Sequence, residues 1–341
     1  MKQIKTVDAV GHVICHDITK IVVGGMKGVA FKKGHIVREE DIPELLSIGK
    51  EHLYVWECDD SMLHENDAAK VMVSLCKNEH MTETDVREGK IELIADTDGL
   101  YVIDVDRLDQ INEIDELMIA SIHTNTPVKK GDRLLGTRVI PLVIKKDKLE
   151  QAKQVVQETK IAKILPYQKK TVAVITTGSE VYHGRIEDTF TPVLIKKLEQ
   201  YGVKVTHHKI VNDEKTMIID AIHEMKSCGV DLILCTGGMS VDPDDLTPGA
   251  VKEAGADIVS YGAPVLPGAM FLLGYFEHDL PILGLPGCVM YTKATIFDLI
   301  LPRILAGVKV TKKEIAKMGH GGLCTGCKPC TYPHCHFGKG V

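Results

Sequence analysis

The stretch Val230-Asp231-Leu232-Ile233-Leu234-Cys235-Thr236-Gly237-Gly238-Met239-Ser240-Val241-Asp242-Pro243-Asp244-Asp245-Leu246-Thr247-Pro248 decides the fold. Its first six residues are almost all apolar, as in a short strand buried on both faces. Two glycines then turn the backbone, and Thr247 with Pro248 reads as an N-cap and a first helical residue. The same order of strand, loop and helix recurs on either side. Upstream, Thr171 to Thr176 is a continuous apolar strand, and Asp188 or Thr189 caps a helix whose Phe190, Val193, Leu194, Leu198 and Tyr201 share one face. Lys204 to Val211 is a second strand. It precedes a helix capped by Asn212 or Asp213, with Met217, Ile218, Ala221, Ile222 and Met225 at helical spacing. Downstream, Ala256 to Ser260 and Pro281 to Leu285 read as strands, the last feeding a helix after Gly287. Strands alternating with amphipathic helices predict an α/β domain over residues 166–310, with a three-layer, mostly parallel sheet.

Residues 1–165 follow a different pattern. Short β-rich runs at Ile21 to Val23, His52 to Trp56, Ile91 to Ala95 and Leu100 to Asp104 alternate with helical patterns at Asp41 to Ile48 and Asn66 to Leu75. This predicts an irregular N-terminal α+β domain. A charged, helical stretch from Lys145 to Ile164 leads to a boundary at Pro166, and residues 311–341 form a short Cys-rich tail.

Composition narrows the function. The 341 residues are 44% hydrophobic and 26% charged, which suits ordinary packed cores. With 47 acidic against 41 basic side chains and no long Lys/Arg run, a duplex-tracking surface is not expected, so nucleic acid is excluded as a partner. Lys2, Lys5 and Asp8 interrupt any signal peptide. Gly262, Pro264, Pro267, Gly268 and Gly274 break the longest uncharged run, Ile258 to Phe276, so no membrane span is expected and the chain is read as cytoplasmic.

Three glycine loops sit at the predicted strand ends, where open parallel sheets bind ligands. They are Thr176-Thr177-Gly178-Ser179-Glu180, Thr236-Gly237-Gly238-Met239-Ser240 and Leu285-Pro286-Gly287-Cys288. Glycine lets backbone amides approach an anion, and a helix opening after Gly287 adds a favourable dipole, so a phosphate-bearing ligand fits. The same dipole can lower the Cys288 thiol pKa. Asp242, Asp244 and Asp245 either stabilise a helix start or hold Mg²⁺ beside a phosphate. His64-Glu65-Asn66-Asp67 reads as a helix cap at Asn66, and His207 and His208 fall on opposite faces of a strand in structural roles. In the tail, Cys324, Cys327, Cys330 and Cys335 follow a C-x2-C-x2-C-x4-C spacing. The segment is poor in apolar residues, so a metal, either an iron–sulfur cluster or Zn²⁺, is expected to hold it.

Taken together, Thr236-Gly237-Gly238-x-Ser240, Asp245-x-Thr247-Pro248, Gly184 with Asp188, Thr177-Gly178-Ser179-Glu180 and Gly284-Leu285-Pro286-Gly287 resemble the molybdopterin-binding domain of molybdenum cofactor biosynthesis proteins. The resemblance covers about residues 170 to 306. It implies Asp245 and Asp188 as catalytic acids, and on the chemistry of a hard cation Asp245, with Asp188 or Asp244, would hold Mg²⁺. Thr177, Gly178, Glu180, Gly237, Gly238, Ser240, Thr247, Pro286 and Gly287 become cofactor-binding positions. The departures are Asp242 in place of Gly, Phe190 in place of Asn and Cys288 in place of Asn. After Gly307 there is no room for the C-terminal β-barrel of the molybdotransferases. Lys33 to Val37 and Asp41 to Gly49 resemble a segment that runs directly into the binding domain in that family. The resemblance implies a homo-oligomeric protein that binds molybdopterin and molybdate or tungstate, with Mg²⁺, in cofactor synthesis or insertion. A non-enzymatic carrier serving a molybdoenzyme client is the alternative, and a nucleotide hydrolase of the competence-damage-inducible type is a third reading.

Overall fold

In the computed structural model, residues 2–20, 28–55, 61–240, 242 and 245–340 are described. The predicted strand Ile21 to Val23, together with Trp56, Cys58 and Asp244, lies outside them. The chain divides into two compact units that interleave in sequence. One comprises residues up to Ile94, Asp104–Ile122 and Arg133–Ala162; the other comprises Ala95–Ile103, His123–Asp132 and Lys163 onward. The single boundary expected at Pro166 and the separate tail from 311 therefore differ from the observed division.

The first unit is α+β. Met81–Glu83, Lys90–Ala95, Arg133–Val139 and Leu117–Ser121 form a four-stranded sheet in that order. The predicted helices are observed at Ile42–Ser47 and Glu65–Cys76. His64, rather than Asn66, caps the second, its side chain accepting from the Asn66 N–H. The predicted helix from Lys145 to Ile164 is shorter, at Lys146–Val156. Beyond it burial alternates, with Ala162 and Ile164 buried around an exposed Lys163. Period two makes a strand there instead.

The second unit begins with a small sheet of β1 (Gly99–Ile103), β2 (Thr126–Val128) and β3 (Ala162–Pro166), ordered β2-β1-β3. Its main sheet contains β4 (Thr171–Thr177), β5 (Lys204–Val211), β6 (Leu232–Thr236), β7 (Asp257–Tyr261), β8 (Leu272–Tyr275) and β9 (Pro281–Leu285), ordered β5-β4-β6-β9-β8-β7. The β5–β4, β4–β6 and β6–β9 ladders are parallel, and the last two are antiparallel. Chain length explains the change of direction. Only residues 276–280 join β8 to β9, and a parallel return needs about a dozen residues or more. Register shifts interrupt both outer ladders, between Val172 and Ala173 and between Ile258 and Ser260.

Alternation along the buried strands builds three layers. Val172, Val174, Leu232, Leu234, Leu283 and Leu285 face one core, shared with α2 (Phe190–Glu199) and α5 (Ile296–Leu305). Ala173, Ile175, Ile233, Cys235 and Ile282 face the other, covered by α3 (Lys215–Ser227) and α4 (Thr247–Glu253). The helices bury the stripes their spacing predicts: Phe190, Leu194 and Leu198 on α2, and Ile218, Ala221, Ile222 and Met225 on α3. A single turn, α1 (Ser179–Tyr182), follows β4, and α6 (Lys312–Lys317) follows α5. Neither Asn212 nor Asp213 occupies the N-cap of α3, where Glu214 stands.

Hydrophobic burial does hold the tail, contrary to the expectation from its composition. Phe337 is 2% exposed within the α2/α5 core, and Tyr332, Cys324 and Cys335 pack against the same core. The Tyr332 ring meets Phe337 edge-on at 6.2 Å, and its hydroxyl donates to the Asp298 carbonyl at 3.2 Å. One large aromatic supplies what a scan of apolar content undervalues. Phe337→Ala should accordingly destabilise this unit by about 3 kcal/mol. Urea unfolding, with proteolysis reporting release of the tail, measures it; an unchanged midpoint would show that the tail contributes nothing.

Candidate functional site

The carboxyl ends of β4, β6 and β9 open into one pocket of about 450 Å³. Thr177, Glu180, Asp188, Gly237, Gly238, Ser240, Asp245, Pro286 and Gly287 line it, bringing most of the predicted site together. Gly178 and Thr247 support the wall without lining it. Asp242 is exposed, and the tail cysteines are not among the lining residues.

Two strand-end loops are locked together beneath the pocket. Gly237 has φ +85°, and a Cβ there would run into the Thr177 carbonyl oxygen, so only glycine fits. Thr247 is the first residue of α4, with Leu246 at the N-cap, which corrects its predicted capping role. Its hydroxyl instead donates to the Gly237 carbonyl at 3.0 Å, and its N–H donates to the Gly238 carbonyl at 3.2 Å. The Tyr261 hydroxyl, from the sheet edge, lies within donating distance of the Met239 and Ser240 carbonyls, at 3.0 and 3.2 Å. Burial first, and Asp245 second, push that phenol's pKa up. In the neighbouring loop, the Ser179 N–H donates to Asp213 at 2.7 Å, giving that acid a role in the β4 turn.

Asp188 anchors the start of α2. One carboxylate oxygen accepts the Phe190 and Thr191 N–H groups at 2.8 and 3.1 Å. The other accepts the Thr191 and Thr176 hydroxyls at 2.6 and 3.1 Å and lies 3.1 Å from His208 Nε2. Burial pushes the carboxyl pKa up, but the bonds from Thr191, Phe190 and Thr176 outweigh it and hold the group below the usual carboxylate range. Its acceptor sites are thus taken up by the protein. Strand alternation places His208 opposite His207, but only the folded chain shows it meeting Asp188, 20 residues away in sequence.

The third loop differs from its prediction. Gly287 opens a single 3₁₀ turn, Gly287–Met290, and the α-helix begins only at Ile296, where Thr295 and Asp298 form a capping box. The helix expected to open at Gly287 therefore does not lend its dipole there. Burial correspondingly pushes the Cys288 thiol up rather than down, with Asp298 adding to the shift.

Two features of the pocket lie outside the predicted set. The Thr236 hydroxyl, on a residue of the pocket wall, is buried with no hydrogen-bond partner among the described residues. The lining also carries four carboxylates, Glu180, Glu187, Asp188 and Asp245, and no Lys or Arg among its described residues. At the mouth, Ile186, Met290 and Tyr291 are 54%, 38% and 80% exposed, giving an apolar lip over a polar floor. Among the described residues, no three His, Cys, Asp or Glu side chains gather into a metal-binding set. The four tail cysteines are therefore not brought together, and Asp244 lies outside the described residues.

Residues 173–306 match the family described as "probable molybdopterin binding domain", and residues 3–57 match a domain of unknown function. The chain is 28% identical over 149 residues to a molybdopterin molybdenumtransferase of Synechococcus elongatus, covering 41% of this chain and 37% of that protein. It is 27% identical over 164 residues to a molybdopterin molybdenumtransferase of Staphylococcus epidermidis, covering 46% and 39% respectively. A CinA-like protein of a Mycobacterium species is 36% identical over 80 residues, covering 24% and 19%. The chain thus spans well under half the length of these curated relatives.

The Asp188 network predicts a specific acid response. Its lowered native pKa means that its contribution is whole above the unfolded value of 3.8 and is lost as pH falls through the lower native value. Urea midpoints of the wild type and Asp188→Asn should differ at pH 6 and converge as acidification proceeds below about pH 4. A constant gap down to pH 2 would show that the carboxylate charge plays no part.

Proposed function

Given that residues 173–306 belong to the molybdopterin-binding family of molybdenum cofactor biosynthesis, we propose that this chain binds molybdopterin, or its adenylylated form, in the strand-end pocket and acts in making or inserting a molybdenum or tungsten cofactor. The observation that carries this reading is the Gly237–Gly238 loop gathered with Ser240, Asp245 and Gly287 in one pocket at the strand ends. The apolar lip of Ile186, Met290 and Tyr291 suits a planar heterocycle at the other end of the ligand.

Charge argues for a cation. A phosphate entering beside four carboxylates with no basic side chain meets net repulsion, and Mg²⁺ relieves it. Mg²⁺ is commonly bound through one or two carboxylates plus substrate phosphates, a donor set that Asp245 and the ligand provide. When bound, it would neutralise charge developing on the phosphate oxygens. Asp188, whose acceptor sites are engaged by α2 and β4, acts as a positioning residue that fixes the pocket wall. In the proposed reaction, water adds across the phosphoanhydride of adenylylated molybdopterin and AMP leaves, while molybdate approaches the dithiolene sulfurs.

Purified protein given adenylylated molybdopterin, Mg²⁺ and molybdate should release AMP. Asp245→Ala should lower that rate by at least about a hundredfold while retaining the fold. Gly238→Val should weaken binding itself, because its φ is +57° and a side chain would press on the Thr247 hydroxyl. Binding without AMP release would make the chain a carrier that passes cofactor to a client. AMP released from ADP-ribose instead would move it to the nucleotide-hydrolase reading. Failure to bind either ligand would end the proposal.

A further inference from the structure

The loop that follows β6 leaves its own strand and crosses the end of the sheet. Met239 is 4% exposed and packs in the core covered by α3 and α4. A Cβ at Gly284 of β9 would stand 2.5 Å from its Sδ and Cε, and 3.1 Å from Leu272 of β8. Gly284 thus leaves a notch in the sheet, and the Met239 side chain fills it. Farther along, on the edge strand β7, the Tyr261 hydroxyl donates to the Met239 carbonyl at 3.0 Å and reaches the Ser240 carbonyl at 3.2 Å. Met239 and Ser240 line the pocket and Tyr261 does not. Its ring is 44% exposed, so the hydroxyl rather than ring burial makes the connection.

A trans peptide is planar, and its carbonyl and the N–H that follows point in opposite directions. The Met239–Ser240 bond is not among the cis peptides. With the Met239 carbonyl turned to Tyr261, the Ser240 N–H is turned away from the edge strand. The described lining has no Lys or Arg, so N–H and hydroxyl groups are the donors it offers an anion. On the reading given above, that a phosphate-bearing pterin occupies this pocket, we propose that Tyr261 is a positioning residue for the phosphate: it holds the Met239–Ser240 peptide so that the Ser240 N–H donates to a phosphate oxygen. The donor is then set before the ligand arrives, and binding need not order the loop.

The test uses the full chain as wild type, Tyr261→Phe and Tyr261→Leu, with adenylylated molybdopterin at saturating Mg²⁺ and molybdate. Loss of one ground-state hydrogen bond should raise KM by about fivefold in both variants and leave kcat within about twofold. In the ligand-free protein, hydrogen exchange in peptides spanning Met239 to Thr247 should be faster in Tyr261→Phe, with the β6 and β9 peptides unchanged. A wild-type KM or unchanged loop exchange in Tyr261→Phe would overturn the proposal. A fall in kcat at unchanged KM would also overturn it, because the hydroxyl would then be supporting the loop as a whole. Impairment of Tyr261→Leu alone would assign the effect to the ring and overturn it as well. If the wild type binds the ligand without releasing AMP, only the enzymatic reading falls, and the same fivefold loss should appear in Kd. A wild type that binds no ligand would overturn both.

Discussion

The contact between Gly237 and the Thr177 carbonyl is the constraint on which the pocket depends. β4 and β6 are adjacent parallel strands, so their C-terminal loops leave the sheet side by side. With no side chain at 237 the two turns can touch, and the Thr247 hydroxyl fastens the second from below. The start of α4 is thereby fixed, and with it the direction of Asp245. A pocket assembled this way is tied down by backbone contact where the ligand's anionic end is proposed to sit.

Rigidity on the facing wall comes from a different source. α2 is held near both ends by buried or half-buried polar groups: Asp188 at its N-terminus, and Lys197 paired with Asp298 of α5 at 2.6 Å, each side chain 12% exposed. Burial favours the neutral form of Asp298, and Lys197 and Thr295 oppose that shift. Such pairs contribute little net stability after desolvation, but breaking one strands a buried charge. Their worth here is positional: they leave α2 a single seat on the sheet.

Much of this could be read from the sequence because the relevant signals were local. The strands β4, β5 and β9 and the buried stripes of α2 and α3 follow from runs and spacings within about fifteen residues, and the glycine loops mark their own strand ends. What escaped was long-range. Thr247 resembles a helix cap in every local respect, and its true hydroxyl partner lies ten residues back across a loop. The helix expected after Gly287 follows a correct turn signal, yet the chain needs Thr295 before it can begin one. The Thr236 hydroxyl and the carboxylate-only lining exist only once distant strands are placed together. In the tail, counting apolar residues missed that one phenylalanine in the right place is enough.

The register shifts in the two outer ladders bear on how the protein behaves in a crowded solution. An exposed sheet edge offers unpaired backbone donors and acceptors to any strand that approaches, and flat edges recruit other chains. Here the β5 edge carries Lys204 and Lys209 beside its irregularity, and the β7 edge begins with Asp257 and has its own. Local twist and charge make both poor templates for a seventh strand. Self-association through this sheet is therefore disfavoured at its rims, and copies that assemble must do so through side-chain surfaces rather than by extending the ladder.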